Sequence, residues 1–181
     1  MGRAVALLGL VAVLGAVSPA SAQGTAAAPV PGQGVLRDVP GAAQRPDPNL
    51  DYRVVFDIAA GAKSPDAAHP GLVRVARFVN TLAQAGVPAD RRQVAVVLHN
   101  DAAEVILTDT AYAARHGGRR NASLPLLEAL RAGGVDLRVC GQSVLGRNLP
   151  RESISPAVTV DLSATMTLVN LQLTGYVLVA E

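Results

Sequence analysis

The chain has 181 residues, a formal net charge of +2 and a single cysteine. Because its charges are nearly balanced and scattered, the sequence excludes the strongly basic surface of a nucleic-acid-binding protein. One cysteine also excludes a fold that depends on intramolecular disulfides. The composition therefore assigns no function, and the information must lie in individual segments.

The first 22 residues have the three parts of a secretory signal sequence. Arg3 supplies the positive charge, residues 4–17 form an apolar run too short to span a bilayer, and Ala20-Ser21-Ala22 is a small-residue cleavage pattern. We expect cleavage after Ala22, which makes the mature protein periplasmic or secreted. An uncleaved anchor is the alternative, and the short run argues against it. No later segment is apolar for long enough to form a membrane helix.

Residues 23–49 form a predicted disordered linker. The segment holds five prolines among glycine, alanine and glutamine, and it has no sustained apolar period. Residues 50–181 are then expected to form one folded domain, since their number is normal for a single hydrophobic core.

The first half of the predicted domain alternates strands and helices. An apolar strand over Tyr52–Ile58 precedes an amphipathic helix over Leu72–Ala85. A continuous apolar run over Val94–Leu98 is typical of a strand that is covered on both faces, as in parallel sheets. Two short helices follow, over residues 102–107 and 111–116.

The second half continues this alternation. A helix is predicted over Pro125–Arg131, and the alternating pattern of Val135–Cys140 predicts a strand. Another strand over Val158–Leu162 leads into a helix over Ala164–Thr174, and the last strand is Tyr176–Val179.

Asn121-Ala122-Ser123 has two interpretations. It fits the acceptor sequence for N-glycosylation, and it also fits a helix start with Pro125 in the first turn. We favour the helix start, because the signal sequence is of a bacterial type and a helical pattern follows at once.

Five strands that alternate with helices indicate an α/β fold, with three α/β/α layers around a five-stranded parallel sheet. No glycine fingerprint of a dinucleotide site follows the first strand. No paired motif joins the cysteine and the three histidines into a metal site, and no nucleophile elbow is present. We therefore expect no cofactor and no bound metal. The sequence carries no hydrolase or oxidoreductase signature, and it leaves open whether the chain is an enzyme.

Cys140 is the strongest candidate for a reactive residue. It ends a predicted strand, Gly141 breaks that strand, and Gln142–Gly146 has the length of a short helical turn. Ligands collect at this edge of α/β sheets, and the N–H groups of a helix start favour a reactive thiolate. The alternative is a small buried side chain with no reactivity.

Four polar residues join Cys140 and Gly141 as candidate binding residues. His99 ends the second strand and would face the same sheet edge, where a Cys–His pair favours thiolate; the alternative is a histidine that caps a turn. Arg147 would attract an anionic sulfur species, or is a surface arginine. Asn100 and Gln142 would orient a small ligand, or would satisfy loop backbone groups.

These segments resemble the DsrE/DsrF-like family of small α/β proteins over Asp51–Glu181. The resemblance is carried by the stretch Asp136–Ser143 through Arg147, by Val97-Leu98-His99, and by Leu162-Ser163-Ala164. It implies a five-stranded parallel sheet and assembly into trimers or hexamers. In the sulfur-relay members, the cysteine that matches Cys140 carries a persulfide sulfur. Those members work in the cytoplasm, whereas this chain has an export signal.

Two main hypotheses follow. The first is a periplasmic sulfur carrier, in which Cys140 takes sulfane sulfur from a donor protein and passes it to an acceptor. The second is an oligomeric binding or assembly module with a structural, inert cysteine. An intermolecular disulfide through Cys140 is a third and weaker alternative.

Overall fold

The structure is a computed structural model that describes Met1 and residues 28–180. The predicted signal sequence lies, except for Met1, outside the described residues. The described chain forms a five-stranded, all-parallel sheet with helices on both faces, which confirms the predicted α/β fold. The strands are β1 (Tyr52–Ile58), β2 (Arg92–Leu98), β3 (Asp136–Cys140), β4 (Thr159–Asp161) and β5 (Val177–Ala180).

The helices follow the apolar periodicity of the sequence. They are α1 (Pro70–Gln84), α2 (Asp109–Arg115), α3 (Leu124–Ala132), α4 (Gly141–Gly146) and α5 (Ala164–Leu173), with 3₁₀ helices at Ala89–Arg91, Asn100–Ile106 and Arg151–Ser153. Where the sequence predicts a short α-helix over residues 102–107, the chain forms the 3₁₀ helix that begins at Asn100. The remaining element boundaries differ from the predicted ones by at most two residues.

The strand order is β4-β3-β2-β1-β5. The register pairs Leu98 of β2 with Val139 of β3, and Cys140 of β3 with Asp161 of β4. Parallel neighbours in this register end at the same edge of the sheet. The segments that follow β2, β3 and β4 therefore meet at one place.

The two faces of the sheet are covered unequally. One face packs against α1, α3 and the 3₁₀ helix Asn100–Ile106, and it holds the large core that includes Phe56, Val96 and Leu137. The opposite face holds a small cluster of Val55, Ala95, Val97, Cys140 and Ala164, on which Leu168 and Leu171 of α5 pack. Alternation along β3 thus points Val139 into the large core and Cys140 toward α5.

Residues 28–49, which fall in the predicted disordered linker, contact the domain at Asn80, Thr81 and Arg91. Val30 is fully buried in the large core. The side chain of Asn80 in α1 accepts a hydrogen bond from the Val30 N–H at 2.9 Å and donates to the Val30 carbonyl at 2.8 Å. The buried contacts of this proline-rich stretch involve one apolar side chain and one amide, and neither produces a periodic pattern. Residues 23–27 lie outside the described residues.

A helix begins at Leu124, as the helix-start interpretation predicts, and Asn121 lies just before it. Its side chain is buried, its Nδ2 donates to the carbonyls of Val105 and Leu107 at 2.7 Å each, and its Oδ1 accepts from the Ser123 N–H. Because both amide hydrogens are engaged, the folded chain presents no amide for glycosylation. Within residues 28–180, no helix combines the length and the apolar character needed to cross a membrane.

Candidate functional site at Cys140

Cys140 is the last residue of β3 and occupies the position immediately before α4. The next residue has to be glycine, because β3 and β4 approach closely at this point. A Cβ atom on Gly141 would lie only 2.5 Å from the carbonyl oxygen of Asp161. The absence of a side chain thus lets α4 begin directly at the end of the strand, with its N–H groups around the sulfur.

Four hydrogen-bond donors near Cys140 lower the pKa of its thiol. They are the hydroxyl of Ser143 and the backbone N–H groups of Gln142, Ser143 and Ala164. Burial raises the pKa of the Cys140 thiol, but hydrogen bonds from these donors outweigh burial, and the pKa lies below that of an ordinary thiol. The site therefore stabilises the thiolate, which is the nucleophilic form of cysteine.

The donors come from two different helices. Gln142 and Ser143 lie in the first turn of α4, whereas Ala164 is the first residue of α5. Ser163 caps α5 through a hydrogen bond that its hydroxyl accepts from the Met166 N–H at 3.2 Å. The cap fixes the start of α5 beside Cys140, so the positive ends of two helices converge on one sulfur.

A solvent-open cavity of about 620 Å³ lies over this sulfur. Cys140 as a whole is only 6% exposed, yet it contributes to the cavity wall. The wall brings together four of the predicted binding residues, namely His99, Asn100, Gln142 and Arg147, and adds Asp101, Ser143, Gly146, Ser163, Ala164 and Thr165. Gly141, the remaining predicted binding residue, does not line this cavity but a neighbouring groove.

His99 does not hydrogen-bond Cys140. Its Nε2 lies 2.7 Å from Oδ1 of Asp57 at the end of β1, and its side chain makes no helix-capping hydrogen bond. An ionised carboxylate can only accept, so Nε2 carries the proton and donates it. The sulfur and the imidazole thus share a cavity but have separate partners.

Asn100 acts through its backbone. It has a left-handed conformation with φ of 48°, one of two such non-glycine residues in the described chain. Its N–H donates to the Ser143 hydroxyl oxygen at 2.9 Å. Because the Ser143 oxygen accepts this bond, the Ser143 hydroxyl proton is available to Cys140.

Arg147 ties the end of α4 to the segment after β2. Its Nε donates to the Asn100 carbonyl at 2.7 Å, and its guanidinium pairs with Asp101 and with Glu104. Two carboxylates balance its charge, so its geometry serves to hold the cavity wall. Gln142 donates from Nε2 to the Leu162 carbonyl at 3.2 Å, which joins α4 to the start of α5.

Three groups at the site could not be singled out in the sequence. Asp57 looks like an ordinary polar residue within β1. Its position near the carboxyl end of that strand could have placed it at the same sheet edge as His99. Ser143 lies in the family-like stretch but carries no pattern of its own. Ala164 contributes only a backbone N–H, which leaves no trace in a side-chain pattern. Among residues 28–180, no group of three or more metal-ligating side chains is found.

Comparison with known proteins agrees with this architecture. The model of the DsrE/DsrF-like family matches residues 53–180. A solved structure, described as protein of unknown function MTH1491 from Methanobacterium thermoautotrophicum, superposes with a TM-score of 0.53 at 20% sequence identity. The match covers 72% of this chain and 100% of that chain. No curated protein matches the sequence.

The fold and the site define a small α/β protein with a cysteine at the carboxyl edge of a parallel sheet. The family match spans most of the chain, and the chain belongs to the DsrE/DsrF-like family. The similarity to MTH1491 is a similarity of fold.

Proposed function

We propose that the protein is a sulfur carrier in which Cys140 holds sulfane sulfur as a persulfide. The observation that carries the proposal is the position of Cys140 at the end of β3 in the wall of a solvent-open cavity, where the Ser143 hydroxyl and three backbone N–H groups lower the pKa of its thiol. Donors that stabilise a thiolate also stabilise the anionic outer sulfur of a persulfide if it takes a nearby position. Membership of the DsrE/DsrF-like family supports the same chemistry.

The reaction is a transfer of one sulfur atom between thiols. The Cys140 thiolate attacks the outer sulfur of a donor persulfide R–S–SH, a new S–S bond forms, and the donor S–S bond breaks. The donor leaves as the thiolate R–S⁻, and Cys140 becomes Cys–S–SH. Delivery is the same exchange in reverse, toward an acceptor thiol. No electrons are gained or lost overall, so the chain needs no redox cofactor for this step.

The cellular setting of the proposal is the periplasm or the exterior. It rests on the signal sequence of residues 1–22 alone. The donor and the acceptor are then thiol proteins or small thiols of that compartment. The sulfur must be passed on before oxidants consume it, which favours a sulfur atom that is shielded on most sides, as Cys140 is.

We also propose that the protein works as a homo-oligomer. From Leu162 to Val179 the sequence has no charged residue. Met166, Val169 and Leu173 lie on one side of α5, Leu162 precedes the helix, and all four are 43–80% exposed. Such a continuous apolar stripe is typical of an interface between subunits. The stripe begins beside Ala164, so a neighbouring subunit would lie next to the cavity.

A binding or assembly module with an inert cysteine is the second candidate. The low exposure of Cys140 and the apolar stripe on α5 favour it. Alkylation separates the two functions: an inert cysteine reacts slowly in the native protein and rapidly after denaturation, whereas a carrier thiolate reacts rapidly in both states.

The direct test is sulfur loading. Incubation of the mature protein with glutathione persulfide, followed by intact-mass measurement, should show a gain of one sulfur atom that dithiothreitol removes. Cys140→Ser is the matched control, since it keeps the size of the side chain and should gain nothing. A wild-type protein that gains no sulfur would refute the carrier function.

A further inference from the structure

His99 lines the same cavity as Cys140 and has one ring nitrogen that is already committed. Its Nε2–H donates to Asp57 at 2.7 Å, and the two side chains are 19% and 25% exposed. No hydrogen bond in the described part of the chain engages Nδ1, and His99 does not cap the 3₁₀ helix that follows it. Nδ1 is therefore the nitrogen left to exchange a proton with a molecule in the cavity.

The imidazole is not needed to make the thiolate. The Cys140 sulfur already has four donors, from Ser143, Gln142 and Ala164, and His99 is not among them. His99 is oriented by a carboxylate and lines the cavity, but it is not bonded to the nucleophile. It is therefore suited to exchange a proton with the sulfur donor rather than with Cys140.

We propose that His99 is the proton donor to the departing thiol during sulfur transfer, with Asp57 as the residue that positions its ring. This role rests on the proposed sulfur-carrier function. It assigns Asp57, near the end of β1, to a site otherwise built by the ends of β2 and β3 and by α4 and α5.

During the transfer His99 gives up one proton and then regains one. The Cys140 thiolate attacks R–S–SH, the donor S–S bond breaks, and the protonated imidazole gives its proton to R–S⁻, which leaves as R–SH. The new Cys–S–SH then returns its proton to the neutral imidazole and becomes Cys–S–S⁻, held by the amides. The sum is Cys–S⁻ plus R–S–SH giving Cys–S–S⁻ plus R–SH, with His99 unchanged.

No other group in the cavity wall is suited to this exchange. The titratable or charged residues that line it are His99, Asp101, Cys140 and Arg147. Asp101 and Arg147 form an ion pair with each other, and Glu104 also contacts the guanidinium. Asp57 faces the imidazole from β1 as a hydrogen-bond acceptor. Histidine is the side chain that both gives and takes a proton in the neutral range.

The test compares two reactions of the same thiolate. Transfer from glutathione persulfide releases a thiolate that needs a proton, whereas alkylation by iodoacetamide releases iodide, which needs none. We expect His99→Gln to slow sulfur uptake at neutral pH about tenfold or more, with alkylation altered by less than about threefold.

Asp57→Asn tests the positioning role. The amide can donate to Nε2, which would move the imidazole proton to Nδ1, and the ¹⁵N chemical shifts of the two ring nitrogens report that change. Sulfur uptake should fall with the tautomer change, while alkylation is retained. His116→Gln and Asp66→Asn are the matched controls, because both residues lie outside the cavity wall, and they should alter neither reaction.

The outcomes separate this inference from the function on which it rests. If the wild type takes up no sulfur, the carrier function fails and the role of His99 falls with it. If the wild type takes up sulfur and His99→Gln does so at the same rate, only the role of His99 is overturned. Equal losses of uptake and alkylation would also overturn it, since His99 would then act on the thiolate or on the fold.

Discussion

Ser143 links the end of β2 to the thiol at the end of β3, because its hydroxyl accepts a hydrogen bond from Asn100 and lowers the pKa of the Cys140 thiol. The hydroxyl oxygen accepts from the Asn100 N–H at 2.9 Å, so its proton is free to point at the sulfur. The left-handed conformation of Asn100 brings that N–H into position. The end of β2 thereby contributes to the state of a thiol at the end of β3.

Ser143→Ala should weaken the thiolate. Loss of a hydrogen bond to a charged group costs about 1.5 kcal/mol or more, which corresponds to roughly tenfold in the thiolate population. We expect alkylation of Cys140 at neutral pH to slow by about that factor, and its pH midpoint to rise. Ser64→Ala is the control, since the Ser64 hydroxyl bonds the Asp66 N–H away from the cavity. An unchanged midpoint in Ser143→Ala would contradict the hydrogen bond.

Gly141→Ala should be one of the most damaging small substitutions in the site. The added Cβ would lie 2.5 Å from the Asp161 carbonyl oxygen, and backbone atoms cannot yield easily. We expect a loss of about 1–3 kcal/mol in the free energy of unfolding, measured by urea denaturation. The start of α4 would also shift from the sulfur, so alkylation should slow.

Gly146→Ala provides the comparison at the other end of the same helix. A Cβ atom there would have no neighbour within 4 Å, and its φ is not positive. Alanine favours the helix by up to about 1 kcal/mol over glycine, so stability should stay equal or increase. A similar loss in both variants would show that the close approach at Gly141 is not the cause.

The sequence predicts the fold well because the strands that define it have strong local patterns. The continuous run Val94–Leu98 indicates a strand covered on both faces, and it forms the middle of the sheet. The alternation of Asp136–Cys140 predicts a strand, and β3 has these bounds. The position of Cys140 at its end could be predicted for the same reason.

The parts that the sequence could not predict depend on single contacts between distant segments. Val30 is anchored by Asn80, fifty residues later, so the proline-rich stretch looks like a linker. The Ala164 N–H reaches Cys140 only because β4 is the neighbour of β3. Asp57 and His99 are 42 residues apart and meet because β1 and β2 end together.

Asn121→Asp should destabilise the fold although the side chain keeps its size. The carboxylate would face the Val105 and Leu107 carbonyls, to which Nδ2 now donates at 2.7 Å. Two buried carbonyls would lose their donor, at about 1–3 kcal/mol each, so we expect a total loss of about 3 kcal/mol. Gln84→Glu, at an exposed position of α1, should cost far less in thermal denaturation. Similar losses would argue against the buried amide.

Glu104→Gln should reduce the loss of folding stability at low pH. Burial raises the pKa of Glu104, but hydrogen bonds from Arg115 and His116 and their charges lower it further, so its folded-state pKa lies below the unfolded one. The contribution of Glu104 is thus complete above the unfolded value of about 4.3 and is lost as pH falls through the folded value. Melting temperatures should fall less steeply over this range in Glu104→Gln. Glu128→Gln, at an exposed position of α3, should keep the wild-type slope.

Leu173→Glu should dissociate the proposed oligomer without unfolding the subunit. Leu173 is 80% exposed in the isolated chain, so a charge there costs the monomer little. Within an uncharged interface, however, a buried carboxylate without a partner would oppose association. We expect a smaller molecular mass by sedimentation and an unchanged melting profile in dilute solution. Leu50→Glu, 55% exposed and outside the stripe, is the control and should keep the wild-type mass. A monomeric wild type, or a Leu173→Glu variant of unchanged mass, would exclude this stripe as the interface.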